Sequence, residues 1–89
     1  MTLAERFGKN LAHARQRAGL TQGDLAFRAE MHRTAVGQLE RGERSPRLDT
    51  FVKLVGTLGV TPAELLDGLA WEPGSFQPGG FRDASEAES

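Results

Sequence analysis

Apolar residues recur every three or four positions through most of the chain, and no stretch shows the strict alternation of a half-buried strand. Leu3, Phe7, Leu11, Ala14 and Ala18 define a first helix over about 3–18. Thr2 stands at its cap position and Glu5 lies three residues on, the spacing of a capping box. Gly19 stops that helix, and Thr21-Gln22-Gly23-Asp24 restarts the pattern ahead of Leu25, Ala26 and Ala29, which predicts a short second helix over about 22–29. A third helix, about 33–41, turns Val36 and Leu39 inward, carries Arg33, Thr34, Gly37 and Gln38 outward, and ends at Gly42.

Pro46 stiffens the loop that follows, and Leu48, Phe51, Leu54, Val55 and Leu58 mark a fourth helix ending near Gly59. Thr61-Pro62-Ala63-Glu64 combines a threonine cap, a proline at the first helical position and a glutamate two residues further on, so a fifth helix is expected over about 62–68. Beyond Leu69 the helical rhythm is lost. Pro, Gly and Ser alternate with Trp71, Phe76 and Phe81, leaving room for short extended segments at 69–72 and 80–82, and residues 83–89 read as disordered. The fold class expected is all-α: a five-helix bundle over 1–69 with a short non-helical tail over 70–89.

Eighty-nine residues suffice for one small domain, and with no cysteine such a chain cannot rely on disulfides or thiolate zinc sites. Two histidines without further ligands offer no metal site, and no cofactor is expected. Neither a roughly 20-residue apolar span nor a signal-type N-terminus is visible, so a soluble, cytoplasmic protein with no membrane partner is expected. Net charge is −1, but it is unevenly distributed: residues 1–69 carry ten bases and eight acids, residues 70–89 one base and four acids. A mildly basic bundle with an acidic tail leaves nucleic-acid binding open, and the positions of the arginines must decide it. No nucleophile–base pair, metal cluster or glycine-rich phosphate loop supports an enzyme.

Two short helices joined by a tight connector, the second with a polar outer face, have the geometry of a helix-turn-helix, because a major groove about 12 Å wide admits one helix braced by another. The residues go further. Leu20-Thr21-Gln22, Leu25-Ala26, the run from Met31 to Val36, Gln38-Leu39-Glu40-Arg41-Gly42, Pro46 and Leu58-Gly59-Val60 together resemble the Xre/Cro family of helix-turn-helix transcriptional regulators, over about residues 7–68.

The resemblance implies a phage-repressor-like bundle that dimerises on double-stranded DNA. It assigns base reading to Arg33, Thr34 and Gln38: arginine can pair with guanine O6 and N7, glutamine with adenine N6 and N7, and threonine offers both a hydroxyl and a methyl. Phosphate contacts fall to Gln22, His32, Arg41, Arg44 and Arg47. His32 could alternatively cap the third helix. Arg15 and Glu40 match an ion pair that orients the reading helix.

The bundle departs from the family pattern at Glu30, where glycine is preferred in the connector, and at Gly37 inside the reading helix; the tail matches nothing in the shared core. Leu65, Leu66, Leu69, Trp71 and Phe76 are candidates for a homodimer surface, the alternative being that the leucines close the core. Antitoxin or control-type proteins acting with a partner are related readings. In a further reading the bundle is an adaptor that has lost DNA binding and docks a protein through its tail.

Overall fold

The computed structural model describes residues 1–84. Five helices, α1 (Leu3–Arg17), α2 (Gln22–Arg28), α3 (Arg33–Glu40), α4 (Leu48–Leu58) and α5 (Pro62–Leu65), precede two strands, β1 (Leu69–Glu72) and β2 (Gly80–Asp83). The predicted helix starts are all observed, while α5 is one turn long and stops short of the expected residue 68.

The starts coincide because their cause is local. Thr2 Oγ1 accepts from Glu5 N–H at 3.1 Å while Glu5 Oε1 accepts from Thr2 N–H at 3.2 Å. Thr21 and Asp24 repeat the exchange at 3.0 Å in both directions. Each box satisfies two backbone N–H groups, one of the helix's first turn and one of the cap residue itself.

Most of the predicted apolar positions converge on one core, while Ala18, the C-cap of α1, is exposed. Phe7 and Leu11 of α1, Leu25 of α2, Val36 and Leu39 of α3, Leu54 of α4 and Leu65 of α5 are fully buried together. The Phe7 and Phe51 rings meet at 6.1 Å between centroids and tie α4 to α1. Leu48, expected on the apolar face of α4, is instead exposed at its first position.

Two glycines let α1 and α3 approach more closely than side chains would allow. A Cβ on Gly8 would lie 2.6 Å from the Glu40 carbonyl oxygen, and one on Gly42 would lie 2.7 Å from Glu5 Cα. Gly42 also holds φ +73°, where a non-glycine residue is strained.

The tail is more ordered than its composition suggests. β1 and β2 pair antiparallel, with Leu69 opposite Asp83 and Trp71 opposite Phe81. The Trp71 and Phe81 rings pack edge to face at 5.1 Å.

Asp83, expected at the start of a disordered end, is a correction: it lies in β2 and is buried. Arg6 of α1 explains its position. The Arg6 Nε donates to the Asp67 carbonyl at 3.2 Å and lies 3.8 Å from Asp83 Oδ2, holding the hairpin against the bundle. Composition could not reveal that contact, since Arg6 and Asp83 are 77 positions apart. The rest of the segment expected to be disordered, residues 85–89, lies outside the described residues.

Among the described residues, no helix is long and apolar enough to cross a membrane.

Candidate nucleic-acid interface

The connector between α2 and α3 sets their relative angle. Glu30 takes φ +55°, so the non-glycine residue does adopt the left-handed conformation. The next N–H, that of Met31, donates back to the Ala26 carbonyl at 2.8 Å, closing α2 in a Schellman-type turn. The turn geometry is preserved at the expense of backbone strain of about 1 kcal/mol.

α3 then buries Val36 and Leu39 and presents Arg33 and Thr34 to solvent, with Gln38 half-buried beside them. His32 occupies the N-cap position but makes no side-chain cap bond, which removes the capping alternative.

Behind the reading helix, Glu40 joins three elements. Its carboxylate accepts from Arg15 Nε at 2.6 Å, Arg15 Nη2 at 2.9 Å and Gln22 Nε2 at 3.0 Å. Arg15 Nη1 also donates to the Leu20 carbonyl at 2.9 Å. The Arg15 and Glu40 side chains are only 13% and 7% exposed. The hydrogen bonds from Arg15 to Glu40 hold the guanidinium pKa above its ordinary value, against the opposing effect of burial.

Two planar groups engaged edge to edge, at low exposure, fix the C-terminal end of α3 relative to α1 and the start of α2. Gln22, expected to grip a phosphate, therefore spends one of its two amide hydrogens on Glu40.

The bases divide into two groups. His32, Arg44 and Arg47 line one cleft beneath the N-terminal end of α3, together with Lys53 of α4. Lys53 escaped sequence reasoning, which took from α4 only its apolar positions; the polar side of that helix was the available signal. Arg47 lies 3.6 Å from Asp49, but both are well exposed, so the pair is weak and would give way to a competing anion. Arg41 stands apart from this cleft. Its guanidinium lies beside Gly37 and its Nε donates to the Glu43 carboxylate.

The five candidate dimer residues do not form one surface. Leu65 is 0% exposed and belongs to the core, so it is corrected to a structural residue; Leu69 is half-buried against the same cluster. Both close the bundle because α5 packs on α1 and α4 and β1 packs on α1. Leu66, Trp71 at 56% and Phe76 at 104% remain exposed, and Phe81, which the sequence reading did not name as a contact, is exposed beside Trp71.

Residues 11–65 match the family model described as helix-turn-helix. The chain is 39% identical over 62 residues to the control protein C.BamHI of Bacillus amyloliquefaciens, covering 68% of this chain and 76% of that protein. The crystal structure of the restriction-modification controller protein C.AhdI from Aeromonas hydrophila matches with a TM-score of 0.67 at 39% identity, over 70% of this chain and 94% of that one. The P22 c2 repressor, crystallised with a synthetic operator, matches with a TM-score of 0.65 at 26% identity, again over 70% and 94%. With the capped α2, the outward polar face of α3 and the ion pair behind it, these likenesses place the chain in the Xre/Cro-like helix-turn-helix family of transcriptional regulators.

Proposed function

We propose that the protein reads double-stranded DNA as a homodimer on a two-fold operator, with α3 in the major groove. The observation that carries this reading is the rigid mounting of α3. Its outer face bears Arg33, Thr34 and Gln38, while the Arg15–Glu40–Gln22 cluster and the close approach at Gly8 fix its position from behind. A helix that must match hydrogen-bonding atoms on base edges needs such fixing, since displacement by about 1 Å breaks bidentate pairing.

Arg33, Thr34 and Gln38 supply base contacts. Gln22, His32, Arg44 and Arg47 supply backbone contacts, which require charge and reach rather than exact placement. The cleft shared by His32, Arg44, Arg47 and Lys53, with Glu30 its one acid, supports the assignment of His32, Arg44 and Arg47, because a net charge of −1 for the chain would oppose DNA unless bases gather on one side.

One module of this size buries too little surface for strong discrimination, so a symmetric pair with half-sites about one helical turn apart is the expected assembly. Exposed Leu66, Trp71 and Phe76 are its proposed contacts. The controller protein matched over 94% of its length favours a control-type role. The protein is proposed to be cytoplasmic and to need neither cofactor nor catalytic group.

Selection of randomised duplex DNA on the purified protein, followed by binding of the enriched sequence at several salt concentrations, tests this. A two-fold symmetric motif is expected, with affinity falling steeply in salt and Arg44→Ala lowering the salt slope by about 1. Failure to enrich any sequence, even at low salt, would refute the reading.

A further inference from the structure

Arg41 is the C-cap residue of α3, a position from which an arginine can extend past the helix toward solvent or phosphate. Its guanidinium instead lies back over the preceding turn. A Cβ built on Gly37 would meet Arg41 Nη1 at 3.0 Å and Cζ at 3.8 Å, with Gln22 Oε1 at 3.7 Å on the other side. Gly37 is consequently buried although it sits on the outer half of the helix. Thr34 and Arg41, seven residues and about two turns apart, share one stripe of α3. Both line a shallow cleft with Gln22, Arg33 and Gly37. Glu43 takes the Nε–H, so the two terminal nitrogens carry the donors that remain to meet a base.

We infer that Arg41 is a base-reading residue that recognises guanine, and that Gly37 is the positioning residue that clears its path. A guanidinium held over the central stripe of the reading face enters the groove with the helix, and a rotation of the side chain lets Nη1 and Nη2 pair with guanine O6 and N7. A phosphate clamp needs no such path, because the backbone lies at the groove edge and any extended cation reaches it. Glycine is a poor helix former, so its place at 37 acquires a physical reason: a Cβ there would press on Nη1 at 3.0 Å, and a longer side chain would push the guanidinium off this stripe. The inference rests on the proposed DNA-reading role of α3 and adds a specific base to it.

The test compares motifs selected from randomised duplex DNA by the full chain and by Arg41→Lys, Gly37→Ala and Arg44→Ala. Lysine keeps the charge but lacks the planar fork. Under this assignment, Arg41→Lys loses preference for one G·C pair in each half-site by about tenfold, Gly37→Ala loses part of the same preference, and both retain the rest of the motif. Gly37→Ala does so while melting no lower than the parent chain, which separates lost reading from lost folding. Arg44→Ala keeps the complete motif and binds all sequences more weakly. Retention of the parent motif by Arg41→Lys and Gly37→Ala would overturn the assignment and leave Arg41 a backbone contact. Absence of any motif from the parent chain would overturn the DNA-reading role of α3 itself, and this assignment with it.

Discussion

Removing the Glu40 carboxylate should unfasten the reading helix, and the structure allows the loss to be worked out. Glu40→Ala deletes three hydrogen bonds, two from Arg15 and one from Gln22. It leaves Arg15, 13% exposed, with the Leu20 carbonyl as its remaining partner among these contacts. Breaking a buried ion pair from one side costs about 3–5 kcal/mol, and exposed pairs are worth less than about 1. The retained bond to Leu20 and the partial access of water place this case near the lower end of the buried range, about 3 kcal/mol.

In a domain of this size, about 3 kcal/mol corresponds to a fall of roughly 12–24 °C in melting temperature. Thermal unfolding followed by circular dichroism measures it directly. Arg15→Met with Glu40→Leu removes both charges together and should recover much of the loss, since it was the stranded arginine that made the single change costly. A melting temperature for Glu40→Ala within about 3 °C of the parent would refute the argument. It would show that water, rather than the protein, already solvates the pair.

Two further outcomes are expected. Glu30→Gly should raise stability by about 0.5 kcal/mol at most in denaturant unfolding, because φ +55° strains any residue with a Cβ by about 1 kcal/mol while glycine adopts it freely, less the extra flexibility gained by the unfolded chain. The capping carboxylates should shape the acid limb of the stability curve. The Thr2 hydroxyl and backbone lower the Glu5 pKa, and the Thr21 backbone and hydroxyl lower that of Asp24. A depressed carboxylate stabilises the fold above its unfolded pKa and loses that contribution as pH falls through its folded value. Glu5→Gln with Asp24→Asn should therefore flatten the decline in melting temperature below about pH 4.5 and leave its slope at neutral pH unchanged.

What the chain determines by itself is whatever depends on neighbours a few residues apart. Caps, stops and apolar periodicity act within one or two turns, so Thr2 with Glu5, Thr21 with Asp24, and Thr61 before Pro62 located three helix starts without knowledge of the fold. The same periodicity named Phe7, Leu11, Leu25, Val36 and Leu39 as core, because a helix with one apolar stripe has one way to bury it. The family motif added the pairing of Arg15 with Glu40, which spacing alone would not have shown.

Tertiary structure decided what depends on residues distant in sequence. Leu65 and Leu66 are adjacent and chemically identical, yet one is sealed in the core and the other faces solvent, a distinction set by which side of the last turn of α5 packs on α1 and α4. Asp83 belongs to an acidic, glycine-rich tail until Arg6 lies beside it. Gly37 reads as a flaw in a helix until the Arg41 guanidinium is found in the space it leaves. Each depends on a contact between side chains whose approach the backbone must first arrange, and a linear pattern does not encode that approach.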